Sequence, residues 1–509
     1  MARGAAGAVA SGHCLATDAA IAVLNEGGNA IDAAVAGALV LSVVCPYACT
    51  LAGDVYALVY DPAAGVVGLN GTGRSPAAVT RERFTDGIPR DGAMAVTVPG
   101  LLDGLACLLA SHGTFAWKRL VAPAVALARE GFPVNAYFRR NLEDRKSLLA
   151  RDPGAAALFL PAGVPLAEAS LFRQPDLADI LDLIADEGAA SFYHGTVADL
   201  MLRAGAVAGW LVGRDDLAAH RSLTQKAISA PFYGHDVWTM PPNSYGATLL
   251  FQLLALEECG IAEVDPDSAE FVVRGYEARR SAYKAAGRFI GDPEQLEEPL
   301  RQLLDQAIAA RRIDDRHRMP AESLDRCTTN VTVVDRQGLA VSLIQSISAP
   351  WGAGVVLPGT GILLNNRLAG FNNDPASGNC IAPRKRPAHT LAPCMVTTRG
   401  SFSASIGTPG TVGQTCTLAQ FLARTLACRD DAMNAIDRPR WSVDFQGRLI
   451  VEETMSEALR ADVLTAQPEA RTMPNGWISF GSIKMAQSDH GQWIALADHR
   501  RSATAAALN

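Results

Sequence analysis

The sequence predicts an α+β fold in which two antiparallel sheets are flanked by helices, and three features carry that expectation. Helical patterns dominate the first two-thirds of the chain, β-branched strand patterns gather after Cys327, and no low-complexity linker or internal repeat separates them. A chain of 509 residues that is 49% hydrophobic and 19% charged can bury a large core, so one compact layered unit spanning residues 1–509 is expected.

Each element has its own signal. Thr17 or Asp18 is placed to cap a helix through Leu24, which Gly27-Gly28 ends. Asn29 opens an alanine-rich helix from Ala30 to Val44, stopped by Pro46, and the small side chains of Ala33, Ala34, Ala36 and Ala38 let it approach a sheet closely. Further helices fit Gly100 to Ser111, Trp117 to Arg129, Leu177 to Asp186, Tyr245 to Glu258 and Ala269 to Arg288, with Gly and Pro at their ends. Thr328 to Val334 is β-branched almost throughout, Asp335-Arg336-Gln337-Gly338 is a turn, and Leu339 to Ser346 alternates again, which makes a hairpin. A second hairpin is expected through Gly352 to Val356 and Ile362 to Leu364.

Composition excludes several functions. The net charge of −7 is modest and scattered, with no basic run to recruit a polyanion, so no nucleic-acid partner is expected. The longest apolar stretch, Ala33 to Val44, is too short to span a bilayer, and the first residues carry no apolar signal segment; no membrane partner and a cytoplasmic location follow. The ten cysteines have no paired spacing and are expected to be buried thiols, while the nine histidines do not cluster at ligand spacings. Neither a metal nor a cofactor is expected.

The stretch Cys327-Thr328-Thr329-Asn330-Val331-Thr332-Val333-Val334-Asp335, followed by Gly361-Ile362-Leu363-Leu364-Asn365-Asn366, resembles the small-subunit start of the γ-glutamyltransferase (glutathione hydrolase) family. The resemblance runs along nearly the whole chain, through Gly27-Gly28-Asn29-Ala30-Ile31-Asp32, Val98-Pro99-Gly100, Met240-Pro241-Pro242, Gly291-Asp292-Pro293, Arg386-Pro387, Gly407-Thr408-Pro409-Gly410 and Asp498-His499-Arg500. It implies a four-layer αββα N-terminal-nucleophile hydrolase sandwich. It also implies self-cleavage between Cys327 and Thr328, giving chains 1–327 and 328–509 that stay together as a heterodimer, which could pair further.

The chemistry so implied is physically reasonable. A threonine hydroxyl is a weak nucleophile at neutral pH, but a chain-terminal threonine carries an α-amine with a pKa of about 8 within reach of its own oxygen. Thr328 Oγ would first attack the carbonyl of Cys327, and the exposed Thr328 would then attack a substrate amide. By position, Ser346 matches a family hydroxyl that hydrogen-bonds the nucleophile. Gly410 and Thr411 match the loop whose backbone N–H groups hold the oxyanion, provided Thr411 adopts dihedrals that favour glycine.

The acyl-binding positions depart from the family. Gly370 stands where a carboxylate would bind the α-ammonium of γ-glutamate, His389-Thr390 replaces a serine pair, Arg367 replaces an acidic or amide residue, and Arg74 lies two residues before Pro76 instead of four. With Ser348, these residues form a candidate substrate site of cations and hydroxyls. It suits a small-molecule amide whose acyl part carries a carboxylate but no amino group, such as oxamate. A glutathione hydrolase, with Asp374 or Asp54 supplying the missing acid, is the alternative. Other readings are an inactive binding homologue, which the retained Thr328 and Ser346 argue against, a serine hydrolase, for which no Gly-x-Ser-x-Gly occurs, and Cys327 as nucleophile, which the paired threonines disfavour.

Overall fold

The computed structural model describes residues 1–287, 289–295, 302, 306, 307 and 327–509. The hairpin predicted after Cys327 forms its centre. Strands Cys327–Asp335 and Ala340–Ser348 are buried along their whole length and pair antiparallel, with Val331 opposite Leu343 and Val333 opposite Val341. The turn is held by Asp335, whose Oδ1 accepts from Gln337 N at 2.9 Å and Leu339 N at 3.1 Å. Its Oδ2 accepts from Ala30 N at 3.0 Å, so a carboxylate of the hairpin sits on the N-terminus of the helix Ala30–Val44.

Two seven-stranded antiparallel sheets contain the hairpin and stack on each other. One runs Thr504–Leu508, Gly7–Ser11, Cys327–Asp335, Ala340–Ser348, Asp54–Asp61, Gly65–Gly71, Leu223–Lys226. The other runs Ala2–Gly4, Gln492–Ala497, Lys484–Asp489, Ser401–Gly407, Cys394–Thr398, His235–Thr239, Ile228–Phe232. Between them lies a core that includes Tyr56, Leu58, Ile344, Leu391, Met395 and Ala486. The outer face of the first sheet packs on the helix Ala30–Val44 and its neighbours, and that of the second on the helices Gly246–Glu258 and Ala269–Gly287. The result is the expected αββα layering.

Three details differ from the sequence reading. The first helix runs Cys14–Asn25 and is capped by the His13 side chain, which accepts from Leu15 N, so Thr17 lies inside it and bonds Thr504 instead. Half of the sheet strands precede Cys327. Asp54–Asp61 is buried at seven of its eight positions and therefore shows no polar alternation to betray a strand. The segment 352–364 forms turns with a lone Val356–Leu363 bridge, not a hairpin. The helix starting at Ala269 is described to Gly287, and Arg288 lies outside the described residues. Each of the ten cysteines is a free thiol, and no helix among the described residues is long and apolar enough to cross a membrane.

Candidate active site

Thr328 sits where the regular ladder breaks. Cys327 pairs with Ser348 and Thr329 with Gln345, so the register slips at Thr328, and Ser348 takes up the slack with φ of 84°. Bulges of this kind re-aim a side chain at the edge of a sheet. Thr328 is only 2% exposed, and its Oγ1 meets Gln414 Nε2 at 3.4 Å.

The hydroxyl of Ser346 bears on the peptide bond in front of Thr328. Ser346 Oγ donates to the carbonyl oxygen of Cys327 at 2.5 Å and accepts from Ser348 N at 2.9 Å. The Ser348 N–H occupies an Oγ lone pair, which leaves the hydroxyl proton directed at the carbonyl. Ser346 is thus placed to polarise the Cys327 carbonyl, a role beyond the contact with the nucleophile that its position suggested.

The loop Gly407–Thr411 leads into the helix Gln414–Leu422. Gly410 has φ of 143° and Thr411 has φ of 56°, so the β-branched Thr411 does adopt a left-handed backbone. A tight turn, Gly413 N to Gly410 O at 2.8 Å, holds it there, and Thr411 Oγ1 lies 3.4 Å from Ser479 Oγ. Among the described residues nothing accepts from the N–H of Gly410 or Thr411, and both amides lie just before a helix N-terminus, where an oxyanion is favoured.

Beside this lies the cluster of Asp54, Arg367, His389 and Thr390. Asp54 is directly across the sheet from Ser346, so the two side chains share a face. Arg367 Nε donates to Asp54 Oδ2 at 3.2 Å, His389 Nε2 is 3.7 Å from the same oxygen, and Gly73 N donates to Oδ1 at 2.8 Å. All three side chains are fully buried. Burial pushes the Asp54 carboxyl up to about 6, the Arg367 guanidinium opposing it. Asp54 is therefore an acid among residues that the sequence reading took as cations and hydroxyls. Asp374, the other acid considered, is exposed and closes a turn by accepting from Ala376 N at 3.0 Å. Ser348 Oγ and Thr390 Oγ1 are buried with no hydrogen-bond partner among the described residues, which marks them as groups able to meet a ligand.

Arg74 stands apart from this cluster. Its guanidinium pairs with Glu294 and lines a different pocket with Ser75, Val98 and His220. Gly370 closes the short turn Arg367–Gly370, its carbonyl accepting from Asn379 Nδ2 at 2.7 Å. A narrow crevice opens onto Thr328 and Thr329 from the other side, lined by Cys45, Tyr47, Tyr137, Pro409, Lys484 and Arg501. Sequence reasoning missed Gln414 and Lys484. Gln414 could have been found from its place three residues after Thr411, at the start of a helix, whereas Lys484 reaches the site only through its strand pairing with Gly407 and carries no local signal. Among the described residues no three His, Cys, Asp or Glu side chains are grouped closely enough to hold a metal ion.

Two stacked antiparallel sheets between helical layers, with Thr328 buried on a central strand, match the N-terminal-nucleophile hydrolase architecture. Within that class the chain belongs to the γ-glutamyltranspeptidase family, whose model matches residues 16–508. It is 35% identical over 441 residues to the glutathione hydrolase-like YwrD proenzyme of Bacillus subtilis (strain 168), covering 85% of this chain and 84% of that one. It is 33% identical over 442 residues to the oxamate amidohydrolase proenzyme of Klebsiella pneumoniae, covering 84% and 83%. The crystal structure of cephalosporin acylase from Bacillus halodurans superposes with a TM-score of 0.90 at 27% identity, over 100% of this chain and 96% of that one.

Proposed function

We propose that this protein is a self-processing amide hydrolase that cleaves itself between Cys327 and Thr328 and then uses Thr328 as both nucleophile and base. The observation that carries the reading is the Ser346 hydroxyl donating to the Cys327 carbonyl in the uncut chain, because it withdraws electrons from the bond to be broken. In the mature enzyme the α-amine of Thr328 accepts the proton of its own hydroxyl as Oγ1 attacks the substrate carbonyl. The amides of Gly410 and Thr411 receive the oxyanion, and water resolves the acyl-threonine. Denaturing electrophoresis of purified protein should show chains 1–327 and 328–509, the smaller starting Thr-Thr-Asn-Val, and Thr328→Ala should stay uncut. A small chain starting at Cys327 would move the nucleophile there.

The substrate we propose is an amide with a small carboxylate-bearing acyl group, oxamate being the simplest, held by Arg367, His389, Thr390 and Ser348. Support comes from the two unpartnered hydroxyls and from a relative named for oxamate. Asp54 favours a second reading, a γ-glutamyl substrate, because it places a buried carboxylate where an α-ammonium could meet it. That carboxylate already faces Arg367, so the first reading is preferred. Parallel assays on oxamate and γ-glutamyl-p-nitroanilide decide between them: efficient release of p-nitroaniline by the unmodified protein would select the second.

A further inference from the structure

The reading above leaves one step without a base. The α-amine that serves Thr328 in the mature enzyme is locked in a peptide bond until the chain is cut, so the first proton transfer needs another acceptor. We infer that Lys484, buried in the crevice that Thr328 and Thr329 share, is the general base of self-cleavage.

The geometry comes first. Lys484 opens the strand Lys484–Asp489 opposite Gly407, at the root of the loop that carries Gly410 and Thr411. Its side chain lines the same narrow crevice as Thr328 and is 1% exposed, with Nζ donating to Ser482 O at 2.9 Å. That bond engages one of its protons and leaves the nitrogen lone pair of the neutral amine unoccupied. Among the described residues no carboxylate lines the crevice.

The surroundings then set the charge. Burial is the main cause that lowers the Lys484 ammonium to about 7, with Arg501 and Arg440 adding to it and Asp498 and Cys45 opposing. The other titratable groups of the crevice cannot take its place. Burial pushes the Cys45 thiol up to about 12 and raises the Tyr47 and Tyr137 phenols, and Arg501 is a permanent cation. Near neutrality Lys484 therefore has a substantial neutral fraction, which is what a general base needs.

The step closes in atoms and charge. Neutral Lys484 Nζ takes the proton from Thr328 Oγ1 as that oxygen bonds to the Cys327 carbonyl carbon. The carbonyl electron pair moves onto oxygen, where the Ser346 hydroxyl holds it. Collapse breaks the bond from Cys327 C to Thr328 N, and the Lys484 ammonium returns its proton to the departing nitrogen. An ester on Thr328 Oγ1 and a new α-amine result, and water opens the ester.

The test is the cleavage rate of the full chain, refolded from denaturant at pH 5.5 to 9 and followed on denaturing gels. For the unmodified chain the rate should rise through about pH 7 and then level. Lys484→Met, close in volume, should melt no lower than the unmodified protein, cleave about 100-fold more slowly at pH 8 and lose the rise. Lys484→Arg, which keeps the charge but cannot give up a proton, should be as slow, and added methylamine should partly restore cleavage in Lys484→Ala. The inference rests on the self-cleavage reading, and its failure is separable. A flat profile for the unmodified chain, or Lys484→Met cleaving at the same rate, overturns the role of Lys484 alone. Cleavage surviving in Thr328→Ala overturns the reading beneath it.

Discussion

Ser346 illustrates how one hydroxyl can bear on two steps. It donates to the carbonyl oxygen of Cys327 in the uncut chain, and under the proposed self-cleavage it would lie beside the new amine of Thr328. Ser346→Ala should slow cleavage about 10- to 1000-fold, the range for one lost transition-state hydrogen bond, while leaving the melting temperature nearly unchanged; Ser346→Thr should retain most of the rate. Unchanged cleavage in the alanine variant would make Ser346 a bystander. Asp54 yields a second prediction at this scale. Its carboxyl, raised by burial to about 6, is ionised at pH 7.5 and offsets the Arg367 charge; as pH falls through about 6 it takes up a proton and leaves that cation unopposed. The KM for oxamate should accordingly fall between pH 7.5 and 5.5. Asp54→Asn should show a low KM at both values, and a KM that rises on acidification would argue against a carboxylate beside Arg367.

At the scale of elements, the helix Ala30–Val44 positions the hairpin that carries Thr328 and Ser346, because its N-terminal amide holds the turn at Asp335. Its own start is fixed by a reciprocal cap. Asn29 Oδ1 accepts from Ile31 N and Asp32 N at 2.9 and 3.0 Å, and Asp32 Oδ2 accepts from Asn29 N at 3.0 Å. Asp32 also binds Thr114 N at 2.9 Å, Thr114 Oγ1 at 2.6 Å and Phe115 N at 3.1 Å, pinning a loop to the same helix end. Asp32→Ala strands these donors and should lower stability by about 2–4 kcal/mol in urea titration, with Asp32→Asn in between. A loss under 0.5 kcal/mol would show that water replaces the carboxylate.

This helix was legible because cap, alanine run and proline stop agree, and the strand starting at Cys327 because its residues are β-branched. The strand Asp54–Asp61 was not, since burial on both faces removes the alternation that reveals a strand. The same divide runs through the site. Thr328, Ser346, Gly410 and Thr411 lie in motifs, while Lys484 and the proximity of Asp54 to Ser346 depend on strand pairings between segments far apart in sequence.

Those long-range pairings decide how the whole molecule should behave once cut. The two segments on either side of Cys327 do not form two bodies; their strands interleave in both sheets. Gly7–Ser11 lies between Thr504–Leu508 and Cys327–Asp335, and Ala340–Ser348 pairs with Asp54–Asp61. In the other sheet Ala2–Gly4 pairs with Gln492–Ala497, and His235–Thr239 with Cys394–Thr398. Separating the chains would expose the backbone groups of all these edges together with the apolar layer between the sheets, and buried backbone groups left unpaired are costly. Cleavage at a single peptide bond removes none of these contacts. The cut protein should therefore elute from gel filtration as one species of undiminished size at physiological salt and at 1 M salt, since the joining forces are backbone hydrogen bonds and apolar burial, which salt does not screen. In concentrated urea the two chains should part. Elution of chain 328–509 by itself from native buffer would show that the strands of the uncut chain do not keep their partners after cleavage.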